Sequence, residues 1–174
     1  MVRVTVNRRS FVGLMAAIVA VVAVIDQATK ALMLSILTEG EPMPVIGDWF
    51  RFYLLFNPGA AFSMGGEGST WLFTTIQLAF VVGVAIAAPR LQHKGQAIGL
   101  AMIAGGALGN LIDRLFREPG FWFGHVVDFI SIGDFAVFNI ADSSITLGVL
   151  VFIVAIFLEE RDEKIAADNK EVSA

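Results

Sequence analysis

The 174-residue chain is 56% hydrophobic, with a formal net charge of -4 and a mean hydropathy of +0.75, against the apolar content of about 45–50% usual in soluble domains. Its apolar residues come in separated runs that suit a hydrocarbon slab of about 30 Å, which points to lipid rather than to one soluble core. Cysteine is absent, which excludes a disulfide framework, a thiolate metal site and a thiol nucleophile; the net charge owes much to the last residues and implies no nucleic-acid partner.

The first apolar run, at 11–25, follows Arg3, Arg8 and Arg9, a pattern shared with secretory signal peptides. The apolar character resumes after Asp26 and Lys30 without a convincing small-x-small cleavage site, so one tilted span over 11–36 is expected. Residues 38–70 are too many for a simple turn and include an aromatic-rich stretch, 49–56, around Arg51. A second span, 71–88, has only Thr74, Thr75 and Gln77 as polar members and is stopped by Pro89-Arg90. The third, 97–116, carries Gly105 and Gly109 at a spacing that lets another helix approach closely. Beyond it, 126–130 and 135–138 flank a Gly133-Asp134 turn and read as strands. The fourth span, 137–158, leads into a charged cytoplasmic tail, 159–174. The expected fold is a mainly α membrane protein forming one membrane-embedded domain: four transmembrane helices with a small extracytoplasmic β-sheet and loop.

Lys and Arg near span ends are retained in the cytoplasm. The three amino-terminal Arg, Arg90 and Lys94 in the link 89–95, and Arg161 and Lys164 in the tail place both termini there. Arg51, Arg114 and Arg117 fall on the opposite side and count against this orientation.

Ionisable groups inside spans are costly and by default functional. Asp26 and Lys30 are one helical turn apart; Asn110, Asp113 and Arg114 share a face, as do Asn139, Asp142 and Thr146. Counted from the cytoplasmic end of each span, Asp26 lies at ~22 Å, Asn110 at ~21 Å and Asp142 at ~24 Å. Three helices therefore bring polar side chains to one level, in the outer third of the bilayer. Hydrogen bonds that only lock helices, about 0.6–2 kcal/mol each, account for Asp26, Lys30, Asp113 and Arg114 as well as a functional role does. Asp142 differs, having no basic residue one helical turn away, and is a candidate general acid.

A metal centre finds no ligand set, since His93 lies in the cytoplasmic link, His125 in an outer segment, and no His-Glu-x-x-His helix exists. Ser143 or Ser144 with His125 could form a nucleophile and base, but no Gly-x-Ser-x-Gly turn accompanies them. Paired carboxylates need only a water between them, one taking its proton while the other donates to a carbonyl. Asp142 is one candidate, and Asp128, arriving from the outer sheet, is the other; Asp48 and Asp134 read as turn residues.

Five segments, Asp26-Gln27-Ala28-Thr29-Lys30, Asn57-Pro58-Gly59-Ala60-Ala61-Phe62, the run from Gly105 to Arg114, Val127-Asp128-Phe129 and Phe138-Asn139-Ile140-Ala141-Asp142, resemble in order the motifs of the bacterial lipoprotein signal peptidases, also called signal peptidase II. The resemblance implies an aspartic endopeptidase of the bacterial cytoplasmic (inner) membrane, with Asp128 and Asp142 as its dyad and an active site near the outer face. Its substrate would be a prolipoprotein whose cysteine carries diacylglycerol, cut just before that cysteine. Asn57, Asn110, Arg114 and Asn139 would line the site, Asp26, Lys30 and Asp113 would support them, and globomycin-type cyclic peptides would inhibit. Membrane lipids surround such an enzyme, which is expected to be monomeric and to need no cofactor. Gly59, Gly65, Gly66 and Gly68 would let the outer loop move while the aromatic stretch clamps the peptide. Two rivals remain: a proton-coupled transporter or channel, which also buries such residues but commonly uses broken helices, and a bundle that only scaffolds partners.

Overall fold

The structure, a computed structural model, describes residues 10–59 and 70–172. Arg3, Arg8 and Arg9, part of the Asn57–Phe62 motif (Ala60, Ala61 and Phe62), and Gly65, Gly66 and Gly68 lie outside the described residues. In chain order the elements are α1 (Val12–Ile36), β1 (Pro42–Ile46), β2 (Phe50–Asn57), α2 (Thr70–Ala87), α3 (Lys94–Phe116), β3 (Val126–Ile132) and α4 (Ile140–Val172).

Among the described residues, four helices are long and apolar enough to cross a membrane. About 56% of the apolar window of α3 is buried, against 17% in each of the others, so α3 is the central helix and the rest turn most of their surface outward. The cause lies in its small residues. Lipid is as apolar as leucine, so helices associate through close packing rather than through the hydrophobic effect. A Cβ on Gly99 would stand 2.6 Å from the backbone nitrogen of Phe152, and one on Gly148 would stand 2.8 Å from the Gly99 carbonyl oxygen. Here α3 and α4 meet backbone against backbone. The Gly105 and Gly109 face receives α1: a Cβ at those positions would meet Val22 at 2.8 Å and Asp26 Oδ2 at 2.5 Å.

Helix ends follow local chemistry. Pro89 sits in a 3-10 turn, Ala88–Arg90, and Arg90 Nη1 donates to the Ile86 carbonyl at 2.9 Å, closing the end of α2. The fourth helix begins at Ile140 rather than at 137, because the backbone of Phe138 is committed to β3: its N–H donates to the Ile130 carbonyl at 3.0 Å and its carbonyl accepts from Ile130 at 2.8 Å. Residues 135–138 accordingly form a single bridge, Ile130 to Phe138, and not a strand. The stretch from Glu159 to Val172, expected to be a tail, continues α4.

The sheet is antiparallel in the order β1-β2-β3. The edge strand β1 is exposed throughout and contains Pro42 and Pro44, tolerated at an edge where a missing N–H leaves no ladder bond unmade. Gly133 turns the chain after β3 at φ 53°. Met33, Leu54, Val127 and Phe129 form a buried cluster, packed by Leu37, Phe52, Phe56 and Ile140, through which the sheet covers the ends of α1 and α4. Of the aromatic stretch 49–56, therefore, Phe52 and Phe56 serve this packing, while Trp49 stays exposed.

Candidate active site

The register of β2 on β3 slips between Phe52 and Leu55, after which Leu55 faces Asp128 and Asn57 faces Val126. That slip makes Asn57 and Asp128 diagonal neighbours on one face. Asn57 Nδ2 donates to Asp128 Oδ2 at 3.0 Å, and the Gly59 N–H donates to Asn57 Oδ1 at 2.8 Å, which orients the amide. Gly59 has φ 116°, and a Cβ there would press on the Phe73 ring at 2.6 Å, so the position suits glycine.

Asp142 is placed by the start of α4. Asn139 caps the helix: its Oδ1 accepts the Asp142 N–H at 2.9 Å, while Asp142 Oδ2 accepts the Asn139 N–H at 3.2 Å, a reciprocal pair like a capping box. Asn139 Nδ2 also donates to Asp128 Oδ1 at 2.7 Å, so one residue holds both carboxylates, Asp128 through its amide and Asp142 through its backbone N–H. Asn110 Nδ2 donates to Asp142 Oδ1 at 2.9 Å. Each carboxylate thus receives two donors, one on each oxygen.

Asp128 and Asp142 line one cavity of about 170 Å³ with Asn57, Gly59, Asn110 and Arg114. Burial, reinforced by the Asp142 carboxylate, pushes Asp128 up to about 7, against the pull of Asn57, Lys30 and Asn139. Arg114 is buried with its guanidinium 5.8 Å from the centre of the Phe73 ring, and its Nε and Nη1 have no hydrogen-bond partner among the described residues. Such an arrangement offers an acid that keeps its proton near neutrality, a second carboxylate held by donors, and a buried guanidinium on the same cavity.

Not every expected residue reaches the cavity. Asp26, Lys30 and Asp113 lie behind it, fully buried in ion pairs with one another. Asn139 is likewise fully buried, between the two aspartates. Thr146 is turned away, its Oγ1 donating to the Asp142 carbonyl at 2.9 Å. Ser143 and Ser144 donate to the carbonyls of Asn139 and Met102 at 2.9 and 3.0 Å, which occupies both hydroxyl hydrogens. Phe73, Gln77 and Val126 also line the cavity and were not anticipated. Gln77 alone carried a signal, a polar side chain in an otherwise apolar span. Gln27 and Arg117 join the buried network through Asp113 Oδ1, at 3.0 and 2.6 Å.

Fold and site together define a helix bundle of the membrane with paired carboxylates facing one cavity at the end covered by a sheet. Comparison with known proteins is specific. Residues 18–158 match the family model of signal peptidase (SPase) II. The lipoprotein signal peptidase of Mycobacterium avium (strain 104) is 46% identical over 141 residues, covering 81% of this chain and 77% of that protein. That of Rhodococcus jostii (strain RHA1) is 46% identical over 137 residues, covering 79% and 69%. A solved bacterial membrane enzyme structure is similar with a TM-score of 0.76 and 28% identity, covering 89% of this chain and 94% of that one. A second gives a TM-score of 0.73 and 30% identity, covering 86% and 96%. The chain belongs to the signal peptidase II family.

Proposed function

We propose that this chain is an aspartic endopeptidase that removes signal peptides from diacylglyceryl-modified prolipoproteins, cutting just before the lipidated cysteine. One observation carries the reading: Asp128 and Asp142 open onto the same cavity, with Asp128 raised to about 7 by burial and its neighbour's charge. Two carboxylates so placed share one proton near neutral pH. The ionised member takes a proton from a water between them as its oxygen attacks the scissile carbonyl carbon; the protonated member donates to the carbonyl oxygen. Collapse of the tetrahedral species returns a proton to the leaving nitrogen, which becomes the amino group of the lipidated cysteine. The guanidinium of Arg114 and the amides of Asn57 and Asn110, which line the cavity, suit the carbonyls of an extended peptide.

The relatives' name, lipoprotein signal peptidase, supports the substrate class, and so does the geometry a lipidated substrate requires. Its acyl chains stay in the leaflet, each buried methylene contributing about 0.8 kcal/mol, so the bond to be cut stays near the membrane surface. A dyad in the outer third of the bilayer, with both termini cytoplasmic in a bacterial inner membrane, meets that need. In this reading the enzyme acts as a monomer without a cofactor, and globomycin-type cyclic peptides occupy the cavity. The test incubates purified protein in detergent with a lipidated precursor and follows the mobility shift on cleavage. Asp128→Asn and Asp142→Asn are each expected to abolish cleavage with expression and membrane insertion intact; full activity in either variant overturns the dyad.

A further inference from the structure

Behind the cavity, Lys30 is without exposed surface, and its ammonium group reaches three oxygens: Asp26 Oδ2 at 2.8 Å, Asp113 Oδ2 at 2.7 Å and Asn110 Oδ1 at 2.8 Å. An ammonium has three hydrogens and no lone pair, so all of its donors are used. The two carboxylates then reach outward in a matching way. Asp26 Oδ1 accepts the backbone N–H of Ala141 at 3.0 Å, and Asp113 Oδ2 accepts the backbone N–H of Val127 at 3.2 Å. Ala141 immediately precedes Asp142, and Val127 immediately precedes Asp128. The third arm acts through Asn110: because Lys30 can only donate, it holds the amide oxygen toward itself and leaves Nδ2 for Asp142 Oδ1, 2.9 Å away.

Resting on the dyad reading above, we propose that Lys30, Asp26 and Asp113 form a brace that sets the separation and aim of the two carboxylates, gripping the backbone one residue before each. Ion pairs that only lock helices would join α1 to α3 and stop there; these carboxylates continue to β3 and to the first turn of α4. Arg117 Nε, 2.6 Å from Asp113 Oδ1, balances the second negative charge, and Gln27 Nε2 bridges Asp26 Oδ2 and Asp113 Oδ1 at 3.3 and 3.0 Å. The three brace residues are therefore positioning residues, acting on Asp128 and Asp142 through the chain.

Amide hydrogen exchange of the detergent-solubilised protein reads the two backbone grips directly, without substrate. Lys30→Met is expected to speed exchange at both Val127 and Ala141 by roughly tenfold or more, as loss of charge-assisted hydrogen bonds implies. Cleavage by this variant should lose kcat on the order of 100-fold, the scale of a 1 Å misplacement, with KM unchanged. Should Lys30→Met fail to fold, the isosteric variants decide: Asp113→Asn should speed exchange at Val127 alone, and Asp26→Asn at Ala141 alone. Unchanged exchange at both positions in folded Lys30→Met, or equal effects of the two Asn variants at both positions, overturns the brace. A wild type without cleavage would count against the function proposed above, and the exchange pattern would still decide the brace.

Discussion

Replacing Asp128 with Asn removes a carboxyl group that the folded protein keeps protonated up to about pH 7, whereas the unfolded chain releases that proton near 3.8. Between those values the native state binds the extra proton, so this group's contribution favours folding most at the acidic end and is lost progressively as pH rises toward 7. The slope for one group is about 1.4 kcal/mol per pH unit. From about pH 5 to about pH 7 the wild type therefore loses about 3 kcal/mol that Asp128→Asn does not lose. In a chain of this length that corresponds to roughly 6–12 °C in Tm. Other titrating groups are common to both proteins and largely cancel in the difference. The assay is thermal unfolding of both proteins in one detergent across this window. The gap should move steadily toward the variant and level off above about pH 7. A gap that does not change with pH would refute the claim that burial and the Asp142 charge hold Asp128 neutral, and shared-proton chemistry would lose its basis.

The same proton predicts a bell-shaped profile of kcat/KM, falling about tenfold per unit above about pH 7 as the pair loses its proton, and falling again in acid as the second carboxylate gains one; a profile flat in acid would argue against it. Asn139→Ala removes the cap of α4 and the amide shared by both aspartates, so cleavage should drop with a loss of at least ~1 kcal/mol of stability, read from turnover and thermal unfolding; no change in either would show that the cap is dispensable. Gly99→Val drives a side chain into the α4 backbone, at 2.6 Å from the Phe152 nitrogen, and should cost about 1–3 kcal/mol. Gly83→Ala, with nothing within 4 Å of the added carbon, should be neutral or stabilise by up to about 1 kcal/mol; equal effects of the two on thermal unfolding would contradict the close crossing of α3 and α4. Arg114→Lys gives up the planar fork above Phe73 and should lower cleavage markedly while protein yield is maintained; full activity would remove Arg114 from the site.

Much of the candidate site's local geometry was legible because its residues obey short-range rules. Asp26 and Lys30 are one helical turn apart and pair at 2.8 Å, and the Gly105 and Gly109 spacing did admit a neighbouring helix. The roles within one cluster were less legible. Spacing puts Asn110, Asp113 and Arg114 on one face, yet Asp113 turns back to Lys30 while Arg114 lines the cavity. A difference of one position rotates a side chain by about 100°, enough to send neighbours to opposite sides of a helix. Gln27 stood inside a quoted motif without a role, since an amide becomes a bridge only when two acids from different helices flank it. The strand β1 was hidden by its prolines and its exposed, unpatterned face.

By itself the sequence determined what depends on composition along one element. Four apolar runs must lie in lipid, because a helix satisfies its own backbone there. Charged side chains inside such runs must find partners, because the surroundings supply none. Tertiary structure alone decided which partners those are. The slip of β2 on β3 places Asn57 beside Asp128, the close approach of α3 to α1 leaves Asp26 room beside Gly109, and the Lys30 ammonium turns the Asn110 amide toward Asp142. These are contacts between segments as much as 115 residues apart, and no local preference encodes them; they arise only when the glycine-lined helices close around one another.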